Sequence, residues 1–275
     1  MRVAVVGHVE WIEFARVEQV PLPGEIVHVE DSWQEPGGGG AVAAVQMAKL
    51  AGDAILFCAL GDDELGHRAH DELTALGLRV EAAWRDEPQR RGFVHVDSVG
   101  ERTITVIGSR LGPRGEDPLP WGELSGADSV YFTAGDASAL QASRTARTLV
   151  ATARGLPTLA DAGVELDALV ASGKDAGERY ARGQVEPEPR VVVRTEGAAG
   201  GQWERADGDS GRWQTTLPPG PISDAYGCGD CFAGCLTYGL GAGMALNEAL
   251  QLAARCGAAN LTGRGPYEAQ LTTAD

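Results

Sequence analysis

Basic residues are scarce in this chain: 23 lysines and arginines stand against 39 aspartates and glutamates, a formal net charge of −16 over 275 residues. A surface of that sign repels nucleic-acid backbones and anionic bilayers, so neither nucleic acid nor membrane is an expected partner. Long apolar runs are also missing, and none approaches the ~20 residues that a bilayer-crossing helix requires. The start, Met1 to Gly7, is a short apolar run without the longer hydrophobic region and cleavage site of a signal peptide, which predicts a cytoplasmic protein. Cysteine is sparse and odd in number (Cys58, Cys228, Cys231, Cys235 and Cys256), which argues against a disulfide framework. Cys228, Cys231 and Cys235 lack a clear fourth partner for a metal, and the last two lie one helical turn apart, as core residues do. No Ser–His–Asp elbow stands out, and a dinucleotide fingerprint fails because Phe232 follows Gly227 and Gly229 where a third glycine belongs.

What is present is ordinary globular composition, 43% hydrophobic and 23% charged. Short apolar runs predict buried strands at Val3–Val6, Ala54–Ala59, Ser129–Thr133, Pro157–Ala160 and Val191–Val193. Helical patterns fall at Ala41–Leu50, Glu64–Leu76, Ala139–Ala153, Leu166–Val170, Cys231–Leu240 and Ala245–Leu261. This alternation predicts an α/β fold, a mostly parallel sheet covered by helices on both faces. Alternating segments at Glu25–Trp33, Arg91–Ser98 and Arg102–Ile107 predict a small antiparallel sheet apart from it, and Gly201–Glu204 with Arg212–Leu217 reads as a further hairpin.

The densest chemistry lies in Asp224-Ala225-Tyr226-Gly227-Cys228-Gly229-Asp230, between an extended Pro-rich run and a helical pattern. Small residues at a helix start leave backbone N–H groups unpaired at the positive end of the dipole, a ready site for an anion. An acid in the first turn is placed to take a proton from a nucleophile attacking that anion, which is the pairing phosphoryl transfer needs.

With Phe232, this stretch resembles the C-terminal signature of the ribokinase-like (PfkB) carbohydrate kinases, roughly D-T-x-G-A-G-D-x-F. The resemblance covers nearly the whole chain, in order. It implies a single ribokinase-like domain over 1–275, with a small β lid built from about 11–33 and 91–109. It implies Asp230 as catalytic base and substrate contact, and the amides of Gly227, Cys228 and Gly229 as the anion hole. Pro36 to Leu50 is similar to the family's Gly-rich N-terminal segment, which puts Gly38 and Gly39 beside the acceptor. Val42 stands where the family usually has a sugar-binding Asn, and Ile12 where it commonly has an Asp; the nearest acid is Glu10.

Further segments extend the resemblance. Gly61 to Gly66 matches the family's G-D-D-x-x-G, where an Asp is a natural helix cap. Asp175 and Glu178 match its N-x-x-E and imply a hold on Mg²⁺, which prefers few carboxylates and keeps several waters. Arg194, Thr195, Gly197 and Gly200 match the strand and turn that line the nucleotide phosphates, and Asn260 with the Gly263-Arg264-Gly265 turn falls where the family shapes its adenine pocket. The family often binds a monovalent cation beside the anion hole, and Asp224 matches a ligand position. The implied activity is transfer of the ATP γ-phosphoryl group to a small sugar, with a nucleoside kinase or a catalytically silent binding relative as alternatives. The implied assembly is a homodimer through the lids.

Overall fold

Short runs buried on both faces build the larger sheet. In the computed structural model, which describes residues 1–274, its strands in chain order are β1 (Val3–Val6), β4 (Ala54–Gly61), β5 (Leu78–Arg85), β8 (Ser129–Phe132), β9 (Thr148–Thr152), β10 (Ala168–Ser172), β11 (Val191–Thr195), β12 (Gly201–Arg205) and β13 (Ser210–Trp213). Their spatial order is β13-β12-β11-β10-β9-β8-β1-β4-β5. Every pairing from β11 to β5 is parallel, and the hairpin β12–β13 adds antiparallel strands at one edge.

Alternation along β1 feeds two cores. Val3 and Val5 point to one face, where they join α1 (Gly39–Ala51), α5 (Cys228–Gly241) and α6 (Leu246–Asn260). Ala4 and Val6 point to the other, with Phe57, Phe132, and residues of α3 (Ala137–Ser143) and α4 (Leu156–Ala162). Each fully buried Val, Leu or Phe in these layers stabilises the fold by about 1.5–3 kcal/mol. Between β4 and β5 lies α2 (Glu64–Ala75), capped by Asp63, whose carboxylate accepts from the Gly66 amide at 2.9 Å. Among the described residues, no helix is long and apolar enough to cross a membrane.

A second sheet has the order β3-β2-β6-β7, from β2 (Glu10–Arg16), β3 (Asp31–Gly37), β6 (Arg91–Val96) and β7 (Arg102–Ile107). It is not wholly antiparallel as its sequence suggested, because β2 and β6 run parallel. The expected strand over 25–30 is absent: Pro21, Pro23 and Gly24 turn the chain, and pairing begins at Asp31. Pro36 is tolerated because β3 is an edge strand.

Other expectations also fail for physical reasons. The helix predicted over Ala139–Ala153 stops at Ser143, and Thr148–Thr152 is a strand; Leu166–Val170 lies largely in strand β10, and Pro157–Ala160 lies in helix α4. Strands β9 and β10 are covered on both faces, so no alternation shows in them, and Pro157–Ala160 is too short for its apolar residues to tell strand from helix. Strands β2 and β5 went unread. Cys235 and Cys256, on the facing helices α5 and α6, form a disulfide, so the expectation against disulfides fails at this pair.

The loop after β1 fixes where the two sheets meet. A Cβ on Gly7 would lie 2.3 Å from Thr133 Oγ1 and 2.7 Å from the Gly40 Cα. Replacing Gly7 by Ala is expected to cost about 1–3 kcal/mol through overpacking, or roughly 3–10 °C in Tm for a chain of this size. Gly122→Ala, which meets nothing within 4 Å, is the matched control and is expected to leave Tm unchanged. Thermal melts followed by circular dichroism check both, and an unshifted Gly7 variant would contradict the contact.

Candidate active site

Helix α5 begins without a side-chain cap: its N-cap is Gly227, at φ +80°, a left-handed conformation that favours glycine. A Cβ there would also sit 2.9 Å from Val42 Cγ1. The first-turn amides of Cys228, Gly229 and Asp230 are thus left to a ligand or water. Open space surrounds the position a Gly229 Cβ would fill.

Asp230, in that first turn, reaches across to the Gly-rich loop. A Cβ on Gly39 would lie 2.7 Å from Asp230 Oδ1, so only a residue without a side chain lets the carboxyl sit there. Gly38, at φ +86°, donates its amide to the Tyr226 hydroxyl at 3.0 Å, and the Gly39 amide donates to His8 Nε2 at 3.3 Å. The glycines of the N-terminal segment and the acid of the C-terminal signature therefore share one site. Burial raises the Asp230 pKa to about 7, reinforced by the charge of Glu178 and opposed by Arg102 and Arg154. Such a carboxyl exchanges a proton near neutral pH, as a general base must.

Glu10 stands on the same floor. It is buried, pairs with Arg90 at 2.7 Å and approaches His8 Nε2 at 3.8 Å. Burial pushes its pKa up, and the neighbouring arginines pull against that. His8 is driven well below its usual range by burial and by Arg110, Arg90 and Arg154.

Asp175 and Glu178 come together at a short 3-10 turn after β10. The Gly177 amide and the Arg154 guanidinium hold Asp175 below the usual carboxylate range. Arg154 bridges Asp175 at 2.5 Å and Glu178 at 2.7 Å. Among the described residues, no group of three His, Cys, Asp or Glu gathers to hold a metal. Two carboxylates fit Mg²⁺ held jointly with phosphate and water, not a metal caged by protein alone.

In the segment expected to line the nucleotide phosphates, Thr195 ends β11 and its hydroxyl donates to the Ala171 carbonyl at 3.4 Å. Gly197 (φ +63°) packs against Lys174, whose Nζ would be 2.8 Å from a Cβ there. This lysine was not read as a candidate: only the fold brings it to the turn. Gly200 makes a tight turn, since its Cβ would strike the Trp213 carbonyl at 2.2 Å. Arg194 donates to the Tyr180 carbonyl at 3.4 Å and lies 3.8 Å from Glu204, so its charge is engaged within the fold.

Two expected contacts are corrected. Val42 is wholly buried, so it backs Gly227 rather than meeting an acceptor. Asn260 is wholly buried as well, and its Nδ2 donates to the Pro266 carbonyl at 2.8 Å, which fixes the turn without facing a nucleotide. Ile12 is likewise core. Asp224 is buried and accepts from the amides of Tyr226 (2.8 Å) and Gly265 (3.2 Å), tying the signature to that same turn.

A family model described as "pfkB family carbohydrate kinase" matches residues 1–155 and 158–273. An ATP-dependent ribose-1-phosphate kinase of Halopiger xanaduensis is 29% identical over 140 residues, which cover 48% of this chain and 46% of the relative. The chain thus aligns with less than half the length of that curated relative. A ribokinase from Giardia lamblia superimposes with a TM-score of 0.80 at 17% identity, covering 99% of this chain and 97% of that one. A ribokinase from Cryptococcus neoformans, solved in complex with ADP, gives 0.76 at 22% identity, covering 99% and 97%. At these identities the structural likeness establishes the ribokinase-like fold.

The raised carboxyl has a signature in stability. The folded pKa of Asp230, about 7, exceeds the ordinary 3.8, so the folded state binds the proton more tightly than the unfolded chain. Any stability tied to that proton is present at low pH and lost as pH rises through 7. Asp230→Asn is expected to raise Tm relative to wild type at pH 8 and to converge with it towards pH 4. A pH series of thermal melts checks this, and a difference independent of pH would contradict the raised pKa.

Proposed function

This chain belongs to the pfkB family of carbohydrate kinases, and from that premise we propose that it transfers the γ-phosphoryl group of ATP to a hydroxyl of a small carbohydrate. The observation that carries the reading is the Asp230 carboxyl lying at the start of α5 and against Gly39. Donors for a moving phosphoryl group and a base for the attacking alcohol are then a few ångströms apart.

In this reading the acceptor rests on Gly38, Gly39 and Glu10, with its hydroxyl towards Asp230. Asp230 takes the hydroxyl proton as the oxygen attacks. The amides of Gly227, Cys228 and Gly229 stabilise charge on the transferring group without reorganising. Thr195, Gly197 and Lys174 line the path of the ATP phosphates. Glu178 and Asp175 would hold Mg²⁺, which supplies charge neutralisation on the phosphates when bound. Asp224 stands beside the hole as the carboxylate available to a monovalent cation.

The small sheet acts as the lid. Strand register places Arg102, Ile104 and Val106 on the same face as Ile12 and Phe14, and the charge of Arg102 is felt at Asp230. That face overlooks the base, and closing it on an acceptor removes water that would compete as nucleophile. A homodimer through the lids and a cytoplasmic location belong to the same reading.

An ADP-release assay with ribose, fructose, a ketodeoxy sugar acid and adenosine tests it. Asp230→Asn is expected to lower kcat by about 10²–10⁴-fold, the range for a positioned base, with the KM for ATP little changed. The wild-type kcat/KM should rise with pH through a limb near 7, the value to which burial lifts Asp230. An Asn variant with wild-type turnover removes Asp230 from the role, and an absence of ADP release with every acceptor removes the kinase reading.

A further inference from the structure

Helix α5 opens with two thiols that bracket the proposed base. Cys228 is the first residue of the helix and Cys231 the fourth, with Gly229 and Asp230 between them. Both are free thiols, and they differ in access: Cys228 is half-buried, while Cys231 is wholly buried. The family pattern has Ala where this chain has Cys228. A Cys-x-x-Cys pair across the first turn of a helix, with one sulfur reachable and the other behind it, is an arrangement in which a disulfide forms and opens.

Other sulfurs set this pair apart. Cys235, one turn beyond Cys231, is already oxidised, bonded to Cys256 of α6. Cys58, the third free thiol, is wholly buried, and burial pushes its pKa up to about 12. A half-buried thiol with a second thiol one turn away occurs, among the described residues, only at the start of α5.

A bond here acts on the site through distance. Residues three apart on a helix have Cβ atoms about 5–6 Å apart, whereas a disulfide holds them at about 3.5–4.5 Å. Closing the bond tightens the first turn by roughly 1–2 Å. Cys231 is held in place, since its amide donates to the Gly227 carbonyl at 2.9 Å and its Sγ accepts from Gln270 Nε2 at 3.3 Å. Open space surrounds Gly229. The movement therefore falls on Cys228, Gly229 and Asp230, which carry the amides and the carboxyl.

We propose that Cys228 and Cys231 are a redox pair, and that the disulfide between them distorts the anion hole and withdraws the base. The Cys228 thiolate attacks one sulfur of a low-molecular-weight disulfide and expels a thiolate, which takes up a proton. Cys231 then gives up its proton and attacks the Cys228 sulfur, expelling the second thiol. Two protein thiols are oxidised, and one external disulfide is reduced to two thiols. Burial lifts the Cys228 thiol above its usual range and Arg102 pulls against it, so a small ionised fraction attacks and the change is slow. The bond itself is independent of the kinase reading, whereas what it switches rests on that reading.

The test treats the full chain with oxidised glutathione, then with dithiothreitol, and reads intact mass, peptide maps and ADP release. Wild type should lose two hydrogens, with the new bond mapped to Cys228 and Cys231 and with Cys58 still reduced. Its kcat/KM should fall about 100-fold, the effect of an ångström-scale misplacement, and return on reduction. Cys231→Ala should instead retain one glutathione on Cys228, and Cys228→Ala should show neither change. Each variant is compared with its own reduced sample, so a basal effect cancels. Wild type that keeps all three free thiols, or that keeps glutathione on Cys228, overturns the pair. Undiminished turnover of the oxidised protein, or an equal loss in Cys228→Ala, overturns the switch and leaves the kinase reading standing. If the reduced protein releases no ADP with any acceptor, the kinase reading falls, and calorimetric titration with ATP decides the closure. Binding lost only in the oxidised form sustains it; equal binding by both forms, or none by either, ends it.

Discussion

The approach of the Asp230 carboxyl to the backbone at Gly39 is the constraint on which the rest of the site depends. It requires the starts of α1 and α5 to meet, and the helices meet because Gly234 packs close to Ala43, whose carbonyl oxygen would be 3.0 Å from a Cβ on Gly234. It requires the loop before α1 to be almost bare, so Gly7 and Gly40 lie back to back, and Gly38 takes a positive φ and hands its amide to Tyr226. Tyr226 in turn packs edge-on to Phe14, which stacks on Trp33, so the small sheet is keyed to the same contact. A side chain added at Gly39 would collide with the Asp230 carboxyl itself, and one added at Gly7, Gly40 or Gly234 would collide with the backbone or side chains that hold the loop and the two helices together.

The constraint explains what could be read from sequence. Gly227 and Gly39 were legible because a left-handed conformation at the first and a close approach at the second leave no room for a side chain. Of the helices that frame them, α2 and α6 were legible because one face of each is buried, whereas α1 and α5 are buried nearly all round and were legible from the glycines that open them and from their length. Strands β9 and β10 were not, since residues such as Leu149, Val150 and Leu169 are covered from both sides and leave no alternation. Val42 and Asn260 were misjudged for a different reason. Position within a motif indicates neighbourhood, not whether a side chain faces the cleft or the core. The Cys235–Cys256 bond and Lys174 at Gly197 depend on residues far apart in the chain, which only the topology brings together.

The electrostatics follow from depth and partner. Asp230 and Asp175 are both aspartates near one arginine, yet their pKa values move apart. Asp230 is lifted because burial outweighs Arg102 and Arg154. Asp175, at the surface, is lowered because the Gly177 amide and Arg154 both favour its ionised form. The two carboxyls are thus pushed in opposite directions, one towards holding its proton near neutral pH and one towards staying ionised.

Arg154 links the two. It bridges Asp175 and Glu178, borders a cavity with Arg110, and lowers the carboxyl that Glu178 raises. Charge arriving on either side of this guanidinium therefore changes the balance at Asp230.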